Sequence, residues 1–167
     1  MSRLDSVIRR LSAQRDILNT MPERLKAMPG PILEIGLGNG RTYDHLRGLF
    51  PGREIFAFDR TLNAHPACVP DEDHLVLGEI EETLGKAKDW LPAPAALVHM
   101  DIGTPDEEVN RRVRAFLEKT LPQIMARGGL VVSDQWLRST RLTVLPMPDT
   151  VPAGRYYLYM ASGPDRT

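Results

Sequence analysis

The run Ile32–Thr42, ILEIGLGNGRT, holds the residue types in this chain best suited to receive a ligand. Glycines stand at 36, 38 and 40, with Asn39 between the last two, directly after a short apolar run. Without a Cβ, glycine turns through backbone angles that other residues avoid and lets a ligand approach main-chain N–H groups closely. An acid, Glu34, precedes the loop, and two further carboxylates, Asp101 and Asp134, end apolar runs downstream. Carboxylates so placed can cap a loop, hold a polar group or accept a proton. His99, two residues before Asp101, reads as a satisfied, partly buried imidazole, and Cys68 as a small apolar group.

Elements that alternate along the chain must position these groups. Leu4, Val7, Ile8, Leu11, Ile17 and Leu18 recur at helical spacing, so Ser2 to about Thr20 is predicted as an amphipathic helix. Met21-Pro22 ends it, and a short helical piece follows to Met28. Strands are expected at 32–35, 54–59, 74–77, 95–101 and 130–134. Helices are expected from Arg41 to Pro51, from Glu79 to Trp90, and from Thr104-Pro105-Asp106-Glu107 onward. That last run reads as a capping box with proline at the first helical position, and its helix should bend at Pro122 and end at Arg127-Gly128-Gly129. Residues 61–73 read as loop with one helical turn.

Apolar strands alternating with helices predict a parallel sheet covered on both faces. The tail departs from that rhythm. Segments 142–145 and 155–161 have no helix between them and should form an antiparallel hairpin at one edge. No repeat or linker divides the chain, so one domain is expected over 1–167, with a helical segment at 1–28 and an α/β core at 31–161.

Composition narrows the function classes. The chain of 167 residues is 42% hydrophobic and 26% charged, ordinary values for a globular domain. Its 21 basic and 22 acidic residues leave a net charge of −1, without the basic excess that gripping nucleic-acid backbone usually demands. Nucleic acid is therefore not the expected partner. One cysteine excludes an internal disulfide framework and fits a reducing cytoplasm. No stretch approaches transmembrane length and no hydrophobic signal segment is seen, so a cytoplasmic location without membrane contact is expected.

The spacing E-x-G-x-G-x-G from Glu34 to Gly40 resembles motif I of class I S-adenosylmethionine-dependent methyltransferases. The dinucleotide fingerprint G-x-G-x-x-G differs, because Arg41 stands where its third glycine would fall. This cofactor has no pyrophosphate and bears an ammonium and a sulfonium, so an acid near the loop is useful to it. GNGRTYDHLR is also similar to a segment of a small bacterial family of S-adenosylmethionine methyltransferases of about this size.

The resemblance implies a Rossmann-like class I methyltransferase fold. Its sheet would be mostly parallel and seven-stranded, in the order 3-2-1-4-5-7-6, with the antiparallel hairpin at the C-terminal end. It also implies a cofactor site of Glu34, Gly36, Gly38, Asn39, Gly40, Arg41 and Thr42. Asp59 would hold the ribose hydroxyls, Gly78, Glu79 and Ile80 would contact the adenine, and Asp101 in HMDIG, matching motif IV, would touch the cofactor. Arg41 and Thr42 would fix the cofactor's carboxylate.

Asp101 and Asp134 are the candidate catalytic groups. With Gln135 they resemble the ligand set of catechol-type, metal-dependent O-methyltransferases, although glutamine replaces the usual asparagine, and a divalent metal is not favoured. Tyr43, Trp136, Tyr156, Tyr157 and Tyr159 are candidates for packing or for an acceptor pocket. The expected reaction is methyl transfer to a small molecule at oxygen or nitrogen. The N-terminal helix would close over the cofactor, or a second copy in a homodimer would cover the site. An NAD(P)-dependent oxidoreductase and a non-catalytic S-adenosylmethionine-binding sensor or subunit are the alternatives.

Overall fold

Strands Ile32–Ile35 (β1) and Ala95–Met100 (β4) are buried at every position, the pattern strands acquire when helices cover both faces of a parallel sheet. A computed structural model of the chain describes residues 2–164. Met1 and residues 165–167, the ends of the expected single domain, lie outside the described residues. The remaining strands are Ile55–Asp59 (β2), Leu75–Leu77 (β3), Met125–Ser133 (β5), Leu142–Leu145 (β6) and Tyr157–Ala161 (β7). They form one sheet of 7 strands in the order β3-β2-β1-β4-β5-β7-β6, as the resemblance implies. β1 to β5 pair in parallel, whereas β7 runs antiparallel to both β5 and β6.

Each sheet face has its own core. Helices Arg3–Leu18 (α1), Met21–Arg24 (α2) and Arg41–Leu49 (α3) bring Ile17, Leu18, Met21, Tyr43 and Leu46 against Ile32, Leu97 and Val132. On the opposite face, helices Ile80–Thr83 (α4) and Glu107–Ile124 (α5) bring Ile80, Val113, Leu117 and Leu121 against Leu33, Phe58 and Val98. α1 starts from a capping box in which Ser2 and Asp5 satisfy each other's backbone N–H groups. No helix among the described residues is long and apolar enough to cross a membrane.

Several boundaries differ from expectation. α5 is capped by Asp106, whose carboxylate accepts from the N–H groups of Glu108 and Val109, and not by Thr104. An ionised acid is the stronger partner for a helix N-terminus, and Thr104 is occupied in the preceding turn, where Asn110 binds its main chain. α5 also ends at Ile124, so Arg127-Gly128-Gly129 lie within β5 rather than stopping the helix. Gly128 takes φ +82° there, and the β4–β5 register slips between Ala95 and Leu97, which lets the strand start early. The helix expected over 79–90 is one α-helical turn followed by a 3₁₀ stretch, Leu84–Asp89. The expected turn within 61–73 is a 3₁₀ turn at Pro66–Cys68.

Candidate functional site

All the expected site residues lie at or near the carboxyl ends of β1 to β5, where open α/β sheets receive their ligands. The glycine loop between β1 and α3 is held from below and from the side. Gly36 N–H donates to the carbonyl of Phe58 at 2.8 Å, and Gly38 N–H donates to Asp59 Oδ2, also at 2.8 Å. The three glycines serve different ends. A Cβ on Gly36 would meet Ile102 Cγ2 at 2.6 Å, and one on Gly40 would meet Cys68 Cβ at 2.6 Å, so both are required by close packing. Gly38, at φ +51°, has nothing within 4 Å of a built Cβ and faces open space.

That space is a cavity of about 260 Å³. Gly36, Gly38 and Asp59 line it, together with Gly78, Glu79 and Ile80 from the turn after β3 and Asp101 from the end of β4. Val109, Asn110 and Val113 of α5 complete the wall, and Arg112 Nε donates to Glu81 Oε1 at 2.9 Å, joining α5 to the turn after β3. Asp59 Oδ1 also accepts from Arg60 N–H at 2.7 Å, so the carboxylate is oriented before any ligand arrives. The cavity therefore offers the carboxylates of Asp59, Glu79, Glu81 and Asp101, an apolar slot and a bare main-chain rim.

Glu34, Asn39, Gly40, Arg41 and Thr42 do not line the cavity. Glu34 is fully buried beneath the loop, where its Oε1 accepts from Thr42 Oγ1 and its Oε2 lies 2.7 Å from His99 Nδ1. Its direct role is to fasten α3 and β4 to β1. Thr42 spends its hydroxyl in that contact, Arg41 is exposed, and Asn39 accepts from His65 N–H through its carbonyl. Gly40 supplies no capping side chain, so the first turn of α3 is left for a ligand or water to satisfy.

A second polar group lies on the α1 side of the sheet. His99 is fully buried, not partly exposed as expected, and its Nε2 has no partner. Burial alone would depress its pKa, but the charge and hydrogen bond of Glu34, with Asp101 and Asp134 adding, hold it above the ordinary value. Asp134 is pushed up to about 6, first by burial and then by the like charge of Asp101. Its Oδ2 accepts from Gly103 N–H at 2.7 Å, whereas its Oδ1 is buried without a partner. The Tyr156 hydroxyl is also buried and faces Asp101, its pKa raised first by burial and then by the charges of Asp101 and Asp134.

Over this group lies α1. Arg10 Nη1 donates to Asp101 Oδ2 at 2.6 Å and Gln14 Nε2 donates to the same oxygen at 2.7 Å. Sequence reasoning missed both residues. The signal was present in Gln14, a polar residue sharing the helical stripe of Leu11, Ile17 and Leu18 and only 3% exposed. Asn110 was missed as well; it holds the turn after Asp101 through the main chain of Thr104.

The aromatic candidates separate. Trp136 packs edge-on against Tyr157 with centroids 5.1 Å apart, and the Tyr159 hydroxyl accepts from Leu137 N–H. Tyr43 lies beside Arg47 on α3, which leaves Tyr156 as the one that joins the polar group. Asp101, Asp134 and Gln135 are each engaged by other groups of the chain, Asp134 by Gly103 N–H. Gln135 Oε1 accepts from Arg114 at 3.3 Å, and Asp101 is engaged by α1. Among the described residues, no group of three His, Cys, Asp or Glu side chains is arranged to hold a metal ion.

The whole chain resembles known methyltransferases. A structure of an S-adenosyl-L-methionine methyl transferase from Silicibacter pomeroyi is 39% identical, with a TM-score of 0.88, covering 96% of this chain and 99% of that one. The O-methyltransferase TomG from Streptomyces achromogenes, solved with S-adenosylmethionine, shares the fold at 16% identity and a TM-score of 0.59, covering 90% of this chain and 80% of that one. The amino pentose methyltransferase CalS10 from Micromonospora echinaspora does so at 15% identity and a TM-score of 0.52, covering 89% and 65%. No curated protein sequence gives a match. Residues 1–161 match the family model for S-adenosyl-L-methionine methyltransferases, and the chain belongs to that family.

Proposed function

We propose that this methyltransferase acts on a small molecule, at oxygen or nitrogen, in the cytoplasm, and that the cavity bounded by Gly38, Asp59, Gly78 and Asp101 holds its cofactor. The supporting observation is the pre-oriented Asp59 carboxylate beside the bare Gly38 rim, in a cavity that Asp101 also lines. Asp59 accepts from the two ribose hydroxyls, and Gly78, Glu79 and Ile80 frame the adenine. The first turn of α3, with Asn39, Gly40, Arg41 and Thr42, faces the carboxylate end. Glu34 supports the loop from beneath.

Methyl transfer from a sulfonium is an in-line substitution, so holding donor and acceptor in register supplies much of the rate. Bound S-adenosylmethionine supplies the electrophilic methyl group. The chain itself supplies Asp101 at the reacting end of the cavity and Asp134 behind it. Asp134, pushed up to about 6, is suited to take a proton from an acceptor near neutral pH. The net charge of −1 gives no electrostatic reason for a nucleic-acid acceptor. Transfer of a labelled methyl group should be followed across small metabolites, RNA and protein fractions. Label entering small molecules supports the reading, and label entering only a macromolecule contradicts it.

A further inference from the structure

Asp101 belongs to two environments at once. It lines the proposed cofactor cavity, and its Oδ2 is bound by α1 through Arg10 and Gln14. Both donors are N–H groups, and Arg10 brings a full positive charge. The Arg10 side chain is 42% exposed, so its ion pair is of the partly solvated kind that exchanges at little cost. Near the same carboxylate stand His99 Nε2 and Asp134 Oδ1, both buried and both without a partner, and the buried Tyr156 hydroxyl, which Asp101 itself engages. His99 and Tyr156 both feel the charges of Asp101 and Asp134, which places all four side chains in one polar group beneath α1. Buried polar atoms left unpaired are costly, and a site that keeps several together is one whose partners come from a ligand.

We propose that Asp101, with Asp134 behind it, binds the nitrogen of a small primary amine, the methyl acceptor, which enters by taking the place of the Arg10 guanidinium. The inference rests on the cofactor site described above and goes further in naming the acceptor class. Two carboxylates favour a cation and repel a carboxylate or phosphate at the reacting end. The existing contacts at 2.6 and 2.7 Å demonstrate that N–H donors fit the position. Asp101 also borders the cofactor cavity, so an amine there lies on the way to the sulfonium.

The reaction balances without another reagent. The bound ammonium gives one proton to Asp134 Oδ1, and the freed nitrogen lone pair forms a bond to the sulfonium methyl carbon. The carbon–sulfur bond breaks, and its electron pair stays on sulfur. The products are a methylated ammonium and neutral S-adenosylhomocysteine, with the proton on Asp134 passing to water.

The test uses the Arg10→Ala protein saturated with S-adenosylhomocysteine and titrated, by NMR, with butylamine, butanol and butyrate as probes. Butylamine should bind Arg10→Ala about tenfold more tightly than the wild-type protein, and Arg10→Ala/Asp101→Asn should lose that gain. Butanol and butyrate should gain nothing. An Arg10→Gln protein, which keeps the helix length and removes the charge, should behave as Arg10→Ala does. The inference is overturned if butylamine gains nothing, if butyrate or butanol gains as much, or if butylamine binds only when S-adenosylhomocysteine is absent. The last result would mean that Asp101 holds the cofactor's own ammonium. If S-adenosylhomocysteine itself does not bind, the cofactor site falls, and the acceptor site with it.

Discussion

Glu34 and His99 are register partners on β1 and β4, and their side chains meet at 2.7 Å between Oε2 and Nδ1, both fully buried. The acid that the glycine motif makes prominent thus joins the α1 side of the sheet and does not line the cavity beside Asp59. Because Thr42 also donates to it, one carboxylate joins β1, β4 and the start of α3. The shape of the glycine loop depends on that junction.

Removing one member of a buried pair leaves the other uncompensated, so Glu34→Gln should lower stability by about 3 kcal/mol or more. The pH dependence has a defined sign. His99 titrates above its ordinary 6.5 in the folded protein, so the pair's contribution is fully present below that value and fades as pH rises through the folded pKa. Urea unfolding at several pH values should therefore show the wild-type advantage over Glu34→Gln shrinking toward alkaline pH. A gap that widens there would contradict the assignment.

Gly38 and Gly40 should respond differently to alanine. At Gly40 the new Cβ would lie 2.6 Å from Cys68 Cβ and 3.0 Å from its carbonyl oxygen, at φ +84°. Gly40→Ala should be destabilised by several kcal/mol and lose cofactor binding along with the fold. At Gly38 the Cβ meets nothing, so Gly38→Ala should lose only about 1–2 kcal/mol from its left-handed backbone. Its methyl group would nevertheless stand in the cavity. Thermal melts and cofactor titration together should find a folded protein with weak binding.

Asp59→Ala should weaken S-adenosylhomocysteine binding by about 1.5–3 kcal/mol, the range for hydrogen bonds to a charged acceptor. Asp59→Asn should retain an acceptor for Gly38 N–H and lose less stability than alanine does. Unchanged affinity in both variants would remove Asp59 from the site.

Asp134 stores destabilisation. Its folded pKa of about 6 lies above the ordinary 3.8, so stability should fall as pH rises from about 4 through about 6, by up to about 3 kcal/mol. Asp134→Asn can still accept from Gly103 N–H and should flatten that fall, making it the more stable protein at neutral pH and the slower catalyst. Stability and turnover measured on the same variant decide the point.

The sheet was legible because its signals are local. Apolar runs bounded by glycine and proline marked every strand, and the absence of a helix between β6 and β7 exposed the antiparallel edge. That Asp59, Gly78 and Asp101 border one cavity was legible because strand ends locate them without knowledge of side-chain direction. Side-chain direction is what the sequence concealed. Glu34 belongs to a motif, yet alternation along β1 turns it onto the α1 face, and only the register with β4 brings His99 to it. Arg10 and Gln14 meet Asp101 across 91 and 87 residues, a pairing that no local pattern encodes.

Calorimetric titration of the wild-type protein with S-adenosylhomocysteine and, separately, with NADH tests the cofactor assignment most directly. Saturable one-to-one binding of the sulfur nucleoside, weakened in Gly38→Ala and Asp59→Ala and absent for NADH, is the predicted result. Tight binding of NADH, or sulfur-nucleoside binding indifferent to both substitutions, would contradict it.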